Sequence, residues 1–272
     1  MKNFFYIILT CTILSSCSEY QKALKSEDIA TKFKVGEQKF NEGKYSKANK
    51  LFVQIVPNYR GKPQAEKLMY LYSMTFYEMG EYYLASYQFE RFVAAYPNSE
   101  KLEEAAFLSA KSAYIVSDDF IYSKEQKETK DAIEKLQLFI NSYPNSSYIA
   151  EANKLVKELD YKLEKKAFEI AKNYNRIAGF TRDYTAPIKA FENFIFDYPG
   201  SSFREEAFFY KLDSAYKLAM NSVEYKKEER LVTAKKYYNT FVKSYASSER
   251  IEEANKMAES IDKELENYST KS

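Results

Sequence analysis

The chain has 272 residues, 45% hydrophobic and 17% aromatic, and its 26 tyrosines and 20 phenylalanines exclude a disordered polymer. Its 41 basic and 39 acidic residues nearly balance, so no global field favours nucleic acid as a partner. Histidine is absent and only two cysteines occur, which removes the usual proton shuttle near neutral pH and the commonest zinc ligand.

In chain order, the first element reads as an export signal: Lys2, an apolar run from Phe4 to Leu14, then small residues. That run is too short to cross a bilayer as a helix, which takes about 20 residues, so residues 1–16 are expected to be removed after export. Leu14-Ser15-Ser16-Cys17 resembles the lipobox at which bacterial lipoprotein signal peptidases cut, and makes Cys17 the lipidated first residue of the mature protein. One acyl chain holds a protein only marginally, whereas the diacylglyceryl and N-acyl chains that the lipobox implies hold it stably. With Cys11 lost and Cys17 acylated, no disulfide or thiolate metal site is expected in the exported domain.

Next comes a signature that occurs twice, 37 residues apart: Gly43-x-Tyr45-x-x-Ala48-x-x-x-Phe52 and Gly80-x-Tyr82-x-x-Ala85-x-x-x-Phe89. It resembles the glycine-aromatic turn of tetratricopeptide repeats, which joins two helices and places the alanine and second aromatic on the second of them. A second pattern overlaps it. Phe92-Val93, Phe139-Ile140, Phe194-Ile195 and Phe241-Val242 are each followed, four residues after the Phe, by Tyr96, Tyr143, Tyr198 and Tyr245. Pro97, Pro144 and Pro199 follow three of these tyrosines, Ala246 follows the fourth, and Ser99, Ser146, Ser201 and Ser248 come next. Then come Glu104-Ala105, Glu151-Ala152, Glu206-Ala207 and Glu253-Ala254, while a degenerate first copy runs Phe52-Val53, Val56-Pro57, Gln64-Ala65.

The pattern predicts a helix end, a tight turn and a new helix start. Phe and Tyr four apart share a helix face, and proline disfavours helix in the residue before it. Serine caps the following helix, whose first turn carries acidic residues that suit the positive helix start, and Ser202 with Glu205 has the spacing of a capping box. The later alanine is small because neighbouring helices approach closely there.

The intervals between successive Phe copies are 47, 55 and 47 residues, longer than a plain repeat of about 34, so longer helices or loops are required. Asp118 to Lys130 reads as a polar insertion inside the third unit. From Ser147 to Asn175 there is neither Gly nor Pro, and Leu155, Leu159, Leu163 and Phe168 recur at helical spacing, which predicts one long helix. Glu249 to Glu266 reads as a terminal helix with a polar outer face, as the end of a solenoid requires. The fold predicted is all-α, a right-handed α-solenoid of about five tetratricopeptide-like helix pairs with a C-terminal capping helix. Its organisation is a signal peptide at 1–16, a lipidated tether at 17–25, units one to three at 26–143, and the long helix with units four, five and the cap at 144–272.

Most aromatics belong to helix-pair cores. Tyr70 and Tyr77, seven apart on one face of a first helix, are the candidates for contacting a bound polypeptide. Mixed-sign clusters such as Lys162 to Lys166 and Lys226 to Arg230 read as solvated helix faces. The carboxylate pairs Glu103-Glu104 and Glu205-Glu206 lie in first turns, where the helix dipole accounts for them. With no phosphate loop, metal-ligand cluster or nucleophile elbow in the sequence, the reading is a binding protein, not an enzyme, with no cofactor and no metal.

A lipobox followed by such units resembles the BamD family, lipoproteins of the outer-membrane β-barrel assembly machinery. The most specific stretches are Lys135 to Leu163, with Phe139-Ile140-Asn141-Ser142-Tyr143-Pro144 turning into the long helix, and Asp197-Tyr198-Pro199 with the helix after it. The resemblance implies a lipid-anchored scaffold at the periplasmic face of the outer membrane that docks on the periplasmic domains of a BamA-like barrel protein. It also implies that the scaffold receives unfolded outer membrane protein precursors. In the family the early units, here about residues 26 to 143, meet precursors, and the later ones, about 180 to 246, meet BamA. The family's docking arginine, nine positions before the proline of Asp-Tyr-Pro, is replaced here by Ala190, with Lys189 beside it as the nearest cation. Lysine lacks the planar two-pronged hydrogen bonding of arginine, so the docking chemistry differs. The competing reading keeps the fold but assigns it to other cell-envelope partners, in division or polysaccharide uptake.

Overall fold

The computed structural model describes residues 19–118 and 125–269, so the export signal and Cys17 lie outside the described residues. The described residues are all-helical. Helices pair in order: α1 (Ile29–Asn41) with α2 (Tyr45–Ile55), α3 (Ala65–Glu78) with α4 (Tyr82–Ala95), and α5 (Leu102–Asp118) with α6 (Glu125–Ser142). The long α7 (Ile149–Thr181) is followed by α8 (Thr185–Asp197), then come α9 (Arg204–Met220), α10 (Glu224–Ser244) and the terminal α11 (Ile251–Ser269). A 3-10 turn, Val56–Tyr59, follows α2. Within each compact unit helices pack on their successors, and first helices also meet the first helix of the next hairpin, as α1 meets α3 and α9 meets α11. This is the contact scheme of a helical-hairpin solenoid.

The two glycine-aromatic turns behave as their spacing predicts. Gly43 and Gly80 have φ of 70° and 76°, a region that costs an L side chain about 1 kcal/mol. Lys44 N–H reaches back to the Lys39 carbonyl at 2.8 Å and Glu81 N–H to that of Phe76 at 2.9 Å, closing each helix with a Schellman motif. At the turn between α7 and α8 the left-handed position is held by Arg182 instead, with φ 56°.

The Phe-Tyr signature builds one hydrogen-bonded turn four times over. The N–H of Tyr96, Tyr143, Tyr198 and Tyr245 donates to the carbonyl of the Phe four residues earlier at 2.8–3.0 Å. The N–H of Ser99, Ser146, Ser201 and Ser248 then donates to the tyrosine carbonyl at 3.0–3.2 Å. Each serine hydroxyl accepts from the N–H two residues further on, at 3.0–3.4 Å. Phe and Tyr rings pair at centroid separations of 5.2–5.8 Å. Tyr245 (φ −140°, ψ 53°) matches Tyr96 (−130°, 65°) and Tyr198 (−124°, 67°) although Ala246 stands where the others have proline. Proline therefore stiffens a turn that the ring pair and the serine already define. At the third of these turns the hydroxyl that engages is that of Ser201, which accepts from Phe203 N–H; Ser202 does not cap α9, whose N-cap residue is Phe203.

Ala105, Ala152, Ala207 and Ala254 are fully buried, each packed in a cluster with the Phe of the preceding signature: Phe92, Phe139, Phe194 and Phe241. The small side chain lets these helices approach closely, and each buried Phe contributes about 2–3 kcal/mol. The polar insertion expected from Asp118 to Lys130 is shorter than that, since α6 is helical from Glu125 and residues 119–124 lie outside the described residues. The long helix extends further than expected, 33 residues through Gly179 to Thr181. The chain divides into two compact units, one up to Leu159 and one from Asp160, with the division inside α7.

Candidate partner-binding surface

Tyr70 and Tyr77 lie on one side of α3, both half-buried, and both rings meet Phe89 of α4 edge-on at 6.3 and 6.5 Å. Tyr70 also meets Phe92 at 5.7 Å and lies under the Lys101 ammonium at 5.4 Å. Each ring thus takes part in the core of its own hairpin while remaining partly accessible to solvent. Burial, then a hydrogen bond to Glu104, pushes the Tyr70 phenol above its ordinary value, and burial raises that of Tyr77. Both are neutral donors at physiological pH. Tyr70 lines a surface depression of about 620 Å³ with Pro63, Glu66, Phe92 and Lys101.

Polar pairs join first helices of successive units beside these tyrosines. Lys111 of α5 binds Glu151 of α7 at 2.8 Å, and the Tyr114 hydroxyl donates to Glu158 at 2.7 Å. The hydrogen bond to Glu151 raises the Lys111 pKa, which keeps this cation charged. Between second helices, Lys135 of α6 reaches Glu90 of α4 at 2.7 Å. These partners are 40 to 45 residues apart, one unit along the chain. Each pair is worth about 0–1 kcal/mol, so its main effect is to fix the register of neighbouring hairpins. Complementary charges one unit apart, Lys111 with Glu151 and Lys135 with Glu90, were the available sequence signal.

In the second unit Lys189 is exposed on α8, whereas Ala190 is half-buried against the cluster of Phe168, Phe191 and Phe194. The side chain at position 190 therefore serves the core, and the available cation is its neighbour. Close by in sequence, Glu192 accepts from the Tyr237 hydroxyl at 2.8 Å, and burial followed by that bond pushes the phenol up to about 12. Lys211 lies 4.2 Å from the Tyr237 ring centroid, and burial lowers its pKa. A buried polar network links α7 to α9: the Asn175 amide donates to Asp213 at 2.7 Å and to Ser214 at 2.8 Å, and Lys217 binds Asp213 at 2.6 Å. Among the described residues no group of three or more His, Cys, Asp or Glu is placed to hold a metal ion, and no helix is long and apolar enough to cross a membrane.

Hairpins joined by a recurring Phe-Tyr-Ser turn, with polar pairs crossing between units, define a helical-repeat protein of the tetratricopeptide type. Residues 26–182 match the family described as YfiO, outer membrane lipoprotein, and the chain belongs to that family. It is similar to the outer membrane protein assembly factor BamD of Pasteurella multocida (strain Pm70), at 22% identity over 202 residues, which cover 68% of this chain and 77% of that one. Two solved structures of a Podosopora anserina kinesin light chain with nearly identical TPR-like repeats align over 84% and 87% of this chain. Their identities are 12% and 10% and both TM-scores are 0.32.

Proposed function

We propose that this protein is an outer membrane protein assembly factor: a non-enzymatic scaffold anchored through lipid on Cys17, with its helical domain in the periplasm. Membership of the outer membrane lipoprotein family over residues 26–182 is the observation that carries this reading, and the assembly factor of P. multocida supports it. In this reading the second unit docks on the periplasmic domains of a BamA-like barrel protein, with the exposed Lys189 supplying the cation at the position next to Ala190. The α3 face around Tyr70 and Tyr77 receives unfolded barrel precursors. A half-buried ring beside Lys101 and Glu104 suits an extended polypeptide, which offers both apolar side chains and backbone carbonyls.

Depletion of the protein followed by quantification of folded barrels in the outer membrane tests the assignment, with loss of folded barrels the expected result. Unchanged levels refute it. Photo-crosslinking from position 189, read by mass spectrometry, is expected to capture the BamA-like barrel protein. Capture of division or polysaccharide-uptake components in its place would transfer the scaffold to the competing role.

A further inference from the structure

The segment directly after the anchor is not free chain. Residues 19–25 are helical, with Tyr20 and Ala23 only 5% and 1% exposed, and they pack with Leu24 on Val35 of α1 and Leu51 of α2. Cys17 and Tyr20 are three residue steps apart, with only Ser18 and Glu19 between them, a reach of at most about 10 Å. Resting on the lipidation of Cys17 proposed above, this holds the first hairpin against the leaflet that takes up the acyl chains. A reach of this size is comparable to the Debye length of about 8 Å at physiological ionic strength, so charges beside Tyr20 lie within range of the headgroups, with their attraction weakened but not abolished by salt.

Those charges are lysines. Residues 19–50 hold eight lysines against five carboxylates, whereas the rest of the exported chain has a small acidic excess. The Lys47 ammonium lies 5.3 Å from the Tyr20 ring centroid, at the anchored end of the segment. Lys50 follows about 4.5 Å further along α2. Lys22 and Lys25 are exposed on the segment itself, as Lys47 and Lys50 are on α2. None of the four is ion-paired among the described residues. Of the carboxylates, Glu42 is engaged by Lys39 and Lys44, and Glu37 by Lys67. Asp28 caps α1, which leaves Glu19 and Glu27 as the opposing free charges.

We propose that the 19–25 segment and the first hairpin form a headgroup-binding surface, in which Lys22, Lys25, Lys47 and Lys50 contact the phosphates of anionic phospholipids around the lipid anchor. The surface fixes which side of the first hairpin faces the membrane, a constraint that the acyl chains alone do not impose. The test is lysine acylation of the full lipidated protein in nanodiscs of phosphatidylcholine alone or with phosphatidylglycerol, read residue by residue by mass spectrometry. Lys22, Lys47 and Lys50 are expected to react about threefold or more slowly in the anionic discs. Lys189 and Lys256, exposed in the second unit, are expected to react equally in both. Equal rates for Lys22, Lys47 and Lys50 in both discs overturn the headgroup surface while leaving the anchor intact. Failure of the protein to co-elute with discs of either composition removes the anchor, and the surface with it.

Discussion

Two helical glycines make the same substitution a test of packing with opposite signs. A Cβ built on Gly36 of α1 lies 2.5 Å from Cε1 of Phe52 and 2.9 Å from Cδ1, and the Phe52 ring has no exposed surface through which to swing away. Overpacking of this kind costs about 1–3 kcal/mol, here near the upper end, and the better helix propensity of alanine offsets about 1 kcal/mol of it. Gly36→Ala is therefore expected to lose about 2 kcal/mol. On Gly179 of α7 the nearest atom is the Tyr184 hydroxyl at 3.8 Å, an ordinary contact, so Gly179→Ala is expected to gain about 1 kcal/mol from propensity alone. For a protein of this size each kcal/mol moves the thermal midpoint by about 2–4 °C, so melting followed by far-ultraviolet circular dichroism resolves the two. The double variant Gly36→Ala/Phe52→Leu should be less destabilised than the sum of its singles by about 1 kcal/mol or more, because the smaller side chain vacates the clash. Equal signs for the two alanine substitutions, or additivity in the double variant, would refute the reasoning.

Asn175→Leu removes the donor that bridges Asp213 and Ser214 inside the second unit, and a loss of about 2–4 kcal/mol in urea unfolding is expected; a neutral result would show that the network carries no stability. Hydrogen bonds from Lys44 and then Lys39 hold the Glu42 carboxyl at about 2, below its ordinary 4.5. Because the folded-state pKa is the lower one, this contribution is fully present above about 4.5 and vanishes as pH falls towards 2. Wild type should exceed Glu42→Gln in stability at pH 7 and converge with it in acid, and a margin independent of pH would contradict the assignment.

Most hairpin boundaries were legible in the sequence, because turn chemistry is local. Phe139, Tyr143, Ser146 and Ala152 each do what their spacing implies within one turn of backbone, and Gly43 and Gly80 occupy the left-handed positions that only glycine takes without strain. The errors were local as well: Ser201 rather than Ser202 engages the start of α9, and α6 begins five residues before the expected end of the insertion. The candidate surface was legible only as a choice of face. Placing Tyr70 and Tyr77 together needs no more than a period of 3.6, but that both rings abut Phe89 depends on how α4 crosses α3.

The amino-acid order alone determined an all-helical chain, its repeating unit, the turn that ends each unit and the alanine that seats the next. Only the tertiary structure decided that Lys111 meets Glu151, that Tyr237 meets Glu192, that Ala190 turns into the core beside an exposed Lys189, and that residues 19–25 dock on Val35 and Leu51. Each residue turns a helix by about 100°, so a partner one unit away is set by the rotation and crossing angle of two helices together. Those quantities are fixed by packing across the interface, and no stretch of sequence contains them by itself.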